Sequence, residues 1–157
     1  MKKSFLLSLI LLVSMSFNPF ESQKVITPSQ LKFIKEKYKW NSEGLLIINF
    51  VQPNQNCFYD TNSNLENSIK WWEKFYSKID LTNVKNIYVY SDKISAKKII
   101  DFQTKFEDYN DFLLRNFFNI KKECYGILVL NSKGEYEILE GEYSEKEVEN
   151  FIKALKK

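Results

Sequence analysis

The sequence predicts an α/β fold in which a mixed four-stranded sheet lies between helices, in the order α-β-α-β-α-β-β-α. Short apolar runs alternate with longer stretches in which apolar residues recur every three or four positions. That alternation is typical of buried strands separated by amphipathic helices. Strands separated by helices run parallel when they share a sheet, whereas the short turn Asn131-Ser132-Lys133-Gly134 makes the last two strands antiparallel. We therefore expect a mixed sheet with helices on both faces.

The first half of the chain predicts two helices and one strand. The segment Thr27–Gln30 begins the first helix, because its threonine can cap the helix, its proline suits the first helical position and its glutamine can bond back to the cap. This helix is expected to end near Lys39.

Leu45–Val51 is almost entirely apolar and too short for a typical helix, so it predicts a strand buried on both faces. The polar segment Gln52–Asn62 predicts a loop. The second helix is expected to start at Ser63, with Glu66 completing a capping box, and to bury Leu65, Ile69, Trp72, Tyr76 and Ile79.

The second half predicts three further strands. Asn86–Tyr90 forms the first of them, and Ile127–Leu130 and the alternating segment around Tyr136 and Ile138 form the others. After the loop at Ser91-Asp92, helical spacing predicts a third helix through Ala96, Ile99, Ile100 and Phe106. A further helical stretch with Phe112, Leu113 and Phe117 either continues that helix or is separate. The last helix is expected to be capped by Ser144 and Glu147 and to bury Val148, Phe151, Ile152 and Leu155.

The first residues have the layout of a secretory signal peptide: Lys2 and Lys3, an apolar run over Phe5–Val13, and small residues at Ser14 and Ser16. The run is too short to span a hydrocarbon core, which takes roughly 20 residues. We predict a signal peptide over residues 1–16, an N-terminal extension over 17–26 and a single domain over 27–157. The protein is expected to be exported, periplasmic or extracellular, with no stable membrane anchor after cleavage.

Composition argues against several classes of function. The formal charge of +3 falls to +1 without the two N-terminal lysines, which gives no electrostatic reason to expect a nucleic acid or an anionic membrane as partner. The chain has no histidine, two cysteines make a poor zinc site, and its four glycines show no phosphate-binding spacing. We therefore expect no cofactor and no metal. Asp60, Asp92 and Glu123 are interpreted as solvated surface carboxylates, and Trp71-Trp72 as core packing.

Two segments carry a family resemblance. Leu45-Leu46-Ile47-Ile48-Asn49-Phe50 looks like the strand that leads into the active-site loop of the thioredoxin-like superfamily. The segment from Tyr125 to Glu135 looks like the late strand, glycine turn and return strand of that superfamily. The chain resembles most its exported TlpA-like and redoxin branch, and the resemblance implies a three-layer α/β/α sandwich.

The chain also departs from the pattern of that family. The two positions of the family's Cys-x-x-Cys fall on Gln55 and Phe58, and Cys57 lies between them. If Cys57 is instead the first position, the second is Asp60. The family's cis-proline position falls near Tyr125 or Gly126, beside Cys124.

The resemblance implies that Cys57 and Cys124 lie close together, and their role stays open among three alternatives. One is a structural disulfide, which on the chain-entropy account would stabilise the fold by about 4 kcal/mol. Another is thiol-disulfide exchange with a protein thiol or disulfide as partner, with Cys57 as nucleophile at a helix N-terminus and Cys124 as the resolving residue. The third is two unconnected thiols. A peroxidase is disfavoured, because Asn54 replaces the redoxin threonine and Arg115 is the only arginine.

Overall fold

The computed structural model describes residues 24–52, 65–118 and 124–156. The predicted signal peptide, the cap at Ser63 and the loop that carries Cys57 lie outside these ranges. No helix within them has the length and apolar character needed to cross a membrane. The helices and strands in chain order are β1 (Lys24–Val25), α1 (Pro28–Lys37), β2 (Leu45–Val51), α2 (Leu65–Tyr76), β3 (Val84–Tyr90), β4 (Lys105–Glu107), a 3₁₀ turn (Tyr109–Asp111), α3 (Phe112–Asn116), β5 (Tyr125–Leu130), β6 (Glu135–Glu140) and α4 (Glu145–Leu155).

The strands of the described ranges form one mixed sheet in the order β1-β6-β5-β2-β3-β4. Strands β2, β3 and β4 run parallel, whereas β5 is antiparallel to β2, β6 to β5, and β1 to β6. The four predicted strands are all present and form the centre of the sheet. The sheet has six strands rather than four, because the short strands β1 and β4 add to its two edges.

The helices lie on both faces of this sheet, as predicted. Strand β2 is buried along its whole length. Leu46, Ile48 and Phe50 belong to the core beneath α1 and α3, whereas Leu45 and Ile47 belong to the core beneath α2 and α4. Because successive side chains of a strand point to opposite faces, an uninterrupted apolar strand needs a helical layer on each side. The predicted three-layer α/β/α sandwich is confirmed.

Two of the predicted helix starts are confirmed in atomic detail. At α1 the Gln30 amide donates to Thr27 Oγ1 at 3.2 Å, and the Thr27 amide donates to Gln30 Oε1 at 2.9 Å. At α4 the Glu147 amide donates to Ser144 Oγ, and the Ser144 amide donates to Glu147 Oε2 at 2.7 Å. Each reciprocal pair satisfies two backbone donors that the first helical turn leaves without partners.

The helix predicted through Ala96 and Phe106 is wrong. Residues 93–99 form consecutive turns, and Phe106 lies fully buried in β4. Hydrogen bonds between these two segments explain why the helix does not form. The Asp101 carboxylate accepts the amides of Gln103, Thr104 and Lys105, each at 2.8 Å. A short acidic side chain that binds local amides in this way offers the backbone an alternative to a helix.

Gly126 in β5 illustrates how closely the layers pack. It lies opposite Phe50 of β2, whose ring stacks on Phe118 with centroids 4.5 Å apart. A Cβ atom added at Gly126 would lie 2.6 Å from the Phe118 ring, closer than carbon atoms approach without a shift of the ring. Glycine at this position therefore allows the Phe118 ring to lie directly over the sheet.

Candidate functional site

Several chain segments meet where the parallel strands end, and we call this region the carboxyl edge. Gln52 follows β2, Ser91 follows β3, Asp108 follows β4, and Cys124 immediately precedes the antiparallel strand β5. Backbone hydrogen bonds continue the sheet past these ends: the Gln52 amide donates to the Cys124 carbonyl at 2.9 Å, and the Ser91 amide donates to the Val51 carbonyl at 3.0 Å. In open α/β sheets, ligands and reacting groups gather at this edge.

Cys124 lies at the carboxyl edge, directly before β5. It is half-buried, and its sulfur is disulfide-bonded. Cys57, the other cysteine of the chain, lies outside the described residues, so its place and role stay predictions. Cys57 is five positions beyond Gln52, and five residues span about 18 Å at most. Because the main chain of Gln52 is bonded to that of Cys124, the chain length allows Cys57 to reach Cys124.

The backbone around Cys124 differs from the family pattern in the way the sequence indicated. The positions directly before β5 and at its start hold no proline, and the described residues contain no cis peptide bond. Of the three carboxylates interpreted as surface residues, Asp60 and Glu123 lie outside the described ranges. Asp92 caps the turn after β3, since its carboxylate accepts the Ser95 hydroxyl and the amides of Ser95 and Ile94. These bonds, foremost that from the Ser95 hydroxyl, lower the pKa of Asp92.

The two adjacent tryptophans of α2 have different environments. Trp72 is only 5% exposed, as predicted, whereas Trp71 is 53% exposed and the prediction of core packing is wrong for it. Neighbouring residues of a helix point about 100° apart, so the narrow buried stripe of α2 accommodates one indole and not both. The rings contact edge to face, with centroids 4.7 Å apart.

A cavity of about 340 Å³ lies at the carboxyl edge on the α2 and α4 face of the sheet. Its walls come from α2, from the first residue of β5 and from the loop that joins β6 to α4. Tyr125 contributes to these walls, and it is the residue directly after Cys124. The described residues that line the cavity are Ser68, Trp71, Trp72, Tyr125, Glu142 and Tyr143.

A buried polar network holds one wall of this cavity in place. The side chain of Asn49, fully buried in β2, accepts hydrogen bonds at Oδ1 from the hydroxyls of Tyr143, at 2.7 Å, and Tyr76. Its Nδ2 group donates to Asn86 Oδ1 at 2.6 Å and to the Ile87 carbonyl at 2.9 Å. The amide thereby uses both acceptor positions and both donor hydrogens. Burial raises the pKa of Tyr76 and of Tyr143, so both hydroxyls stay protonated and donate.

Asp108 is a buried carboxyl group at the carboxyl edge that the sequence analysis missed, because a helix was expected just before it. Its oxygens accept the amides of Leu113, at 2.9 Å, and Leu114, at 3.0 Å, and so cap α3. Burial raises its pKa, and the bonds from these two amides offset only part of that increase. Two strands separate β4 from β5, a distance of about 14 Å at the usual strand spacing. Asp108 is therefore a structural cap remote from Cys124.

The raised pKa of Asp108 predicts a specific dependence of stability on pH. The folded protein binds this proton more tightly than the unfolded chain does, so its contribution to stability decreases as the pH rises from 3.8, the ordinary value, through the raised folded pKa. We expect the stability of Asp108→Asn to increase relative to that of the wild type over this interval. Urea unfolding of both proteins from about pH 3 to about pH 7 measures the difference between their free energies of unfolding. Carboxylates with lowered pKa values, such as Asp92, are present in both proteins, so their contributions cancel in this difference. A difference that stays flat or decreases with pH would contradict the expected titration.

The strand order and the helices on both faces define an α/β protein with a thioredoxin-like fold, with one cysteine where β5 begins. No family model and no curated protein matches the sequence. Among solved structures, the chain is similar to StoA from Bacillus subtilis, with 18% identity, coverage of 71% of this chain and 84% of that one, and a TM-score of 0.45. It is also similar to a secreted Mycobacterium tuberculosis disulfide oxidoreductase homologous to E. coli DsbE, with 11% identity, coverage of 71% and 82%, and a TM-score of 0.45. MTB dsbF, in mixed oxidized and reduced forms, gives 13% identity, coverage of 72% and 81%, and a TM-score of 0.47.

Proposed function

We propose that the protein is an exported thiol-disulfide exchange protein in which Cys57 and Cys124 form the redox pair. Cys57 is the nucleophile, Cys124 is the resolving residue, and the co-reactant is a disulfide or dithiol of another protein. The observation that carries the proposal is the position of Cys124, which is disulfide-bonded and half-buried at the carboxyl edge, with its main chain bonded to Gln52.

The exchange moves two electrons in two steps. In the reduced protein, the Cys57 thiolate attacks one sulfur of the partner's disulfide, which forms a mixed disulfide and releases the partner's other sulfur as a thiolate. The Cys124 thiolate then attacks the Cys57 sulfur, which forms the Cys57–Cys124 bond and releases the partner's second thiolate. The partner is reduced to a dithiol and the protein is oxidised, with the two protons taken up by the partner. A dithiol of a second protein restores the reduced form by the reverse steps.

Three features support this assignment over a purely structural bridge. Cys124 is half-buried rather than enclosed, and exchange requires access for the attacking sulfur. The cavity lined by Tyr125, the chain neighbour of Cys124, provides a place for a segment of the partner at the carboxyl edge. The N-terminal sequence Lys2 to Ser16 indicates export to a compartment in which disulfides persist.

Reduction potential and thiol reactivity test the proposed function. We expect the Cys57–Cys124 bond to have a potential less negative than about −300 mV in glutathione or dithiothreitol buffers, because exchange-active bonds are more easily reduced than structural ones. In the reduced protein we expect Cys57 to be alkylated with a pKa below about 8.5, the unperturbed value.

Two matched variants separate the roles of the cysteines. Cys57→Ser should abolish exchange with a disulfide-bonded protein substrate, whereas Cys124→Ser should accumulate the mixed disulfide, which mass spectrometry detects. A bond more stable than about −300 mV together with an unperturbed Cys57 thiol would assign the bridge a structural role in a non-catalytic module.

A further inference from the structure

The cavity at the carboxyl edge has walls that favour a cation. Trp71 and Trp72 form one side, and Tyr125 and Tyr143 contribute further aromatic surface. Trp71 keeps about half of its surface open, so a ligand has access to its ring. Cations bind to aromatic faces through the ring quadrupole, and tryptophan is the strongest of the aromatic side chains in this respect.

A carboxylate lies at the rim of the same cavity. Glu142 is exposed, and it is positioned by its two neighbours, since the Gly141 amide donates to the Tyr125 carbonyl at 2.8 Å and Tyr143 is buried. The ion pairs within the described part of the chain involve Lys32, Lys78, Lys105 and Arg115, and none of them includes Glu142. Glu142 therefore adds a negative charge to the lining of the cavity.

We propose that this cavity binds a lysine or arginine side chain of the polypeptide that exchanges disulfides with the protein. A long basic side chain provides an apolar stem for the aromatic walls and a cationic head for Glu142. A volume of about 340 Å³ is sufficient for one such side chain. A neutral apolar side chain would leave the carboxylate without a partner, and an acidic one would be repelled by it.

The position of the cavity explains why its occupant would matter for exchange. Tyr125 is the chain neighbour of Cys124, and consecutive Cα atoms are about 3.8 Å apart. A basic residue bound here would therefore lie within a few residues of the cysteine that the partner presents. The inference rests on the proposed function for the identity of the partner, and it adds a preference for a basic residue beside the reacting cysteine.

Binding of cysteine-free peptides tests this inference without any redox step. We would titrate the oxidised protein with two short peptides that differ only in arginine or citrulline, its neutral isostere, and follow the indole N–H signals by NMR. We expect the arginine peptide to bind about tenfold more tightly, and this preference to weaken as salt is added. Glu142→Gln should reduce the preference to about twofold or less, and Trp71→Ala should weaken binding of the arginine peptide.

The peptide titration tests the cationic site separately from the proposed redox function. Equal affinity for the two peptides, or a preference that Glu142→Gln leaves intact, would overturn the cationic site whatever the potential of the disulfide. A preference for arginine that Glu142→Gln removes would support the site even if the cysteines prove to be structural. Lys32→Gln, a change at an exposed residue of α1 on the other face of the sheet, serves as the matched control and should leave the preference unchanged.

Discussion

Replacement of Asn49 by leucine is expected to lower the free energy of unfolding by about 4 kcal/mol. The leucine has a similar shape, but it removes the acceptor for the hydroxyls of Tyr76 and Tyr143 and the donor for Asn86. A buried polar group left without a partner costs about 1–3 kcal/mol, and at least two such groups would remain. Urea unfolding followed by circular dichroism measures the loss.

The network provides its own control. Because removal of both partners of a buried hydrogen bond is nearly neutral, the triple variant Asn49→Leu/Tyr76→Phe/Tyr143→Phe should recover most of the stability that Asn49→Leu loses. Tyr143→Phe alone should cost about 1 kcal/mol, since Asn49 keeps the bond from Tyr76. A triple variant less stable than Asn49→Leu would show that the loss arises from packing and not from unpaired hydroxyls.

Asn49 also shows which part of the fold the sequence can predict. The asparagine is visible as the single polar residue in an apolar strand, and the strand itself was predicted with its observed bounds. Its partners Tyr76 and Tyr143 are 27 and 94 positions away. Helical spacing predicted that Tyr76 is buried, but no local pattern connects either tyrosine with Asn49. Local periodicity predicts an element and its buried face, whereas the pairing of polar groups between elements depends on tertiary structure.

The region between β3 and β5 was predicted least well. Ala96 and Phe106 have helical spacing, yet hydrogen bonds to the Asp101 carboxylate form a loop and Phe106 becomes part of an edge strand. Strand β4 has three residues, too few for alternation to be recognised, and its burial depends on contact with the core beneath α1. The carboxyl group of Asp108 was missed for the same reason.

Prediction of the site was partial in a similar way. The resemblance to the thioredoxin-like superfamily led to the expectation that Cys124 lies beside the family's cis-proline position and close to Cys57. Cys124 lies directly before β5, and its pairing with Cys57 stays a prediction. The cavity beside it could not be predicted, because its walls come from α2, from Tyr125 and from a loop more than 60 positions after the helix. Two consecutive tryptophans were a signal, and helical spacing assigned Trp72 to the buried stripe, but the pair was interpreted as core packing and the exposure of Trp71 was missed.

Replacement of Trp72 by alanine is expected to lower the free energy of unfolding by about 4 kcal/mol. The indole is almost fully buried, and its ring lies 5.3 Å from Tyr143, 5.4 Å from Phe75 and 5.6 Å from Tyr125, measured between centroids. Removal of a buried tryptophan loses the transfer free energy of the ring and leaves a cavity that the surrounding rings fill only in part, at a cost of about 3–5 kcal/mol. Urea unfolding measured by circular dichroism gives the value without depending on the fluorescence of the deleted residue.

The stability of a Trp71 variant is the control for this prediction. Trp71→Ala removes the same side chain one position earlier, but that ring is half exposed and contacts Trp72 and Phe75 from the surface. Its expected cost is about 1 kcal/mol or less. Equal losses for the two variants would mean that Trp71 also stabilises the fold. A small loss for Trp71→Ala instead leaves an exposed indole at the cavity that folding does not require, which is the property expected of a residue that binds a partner.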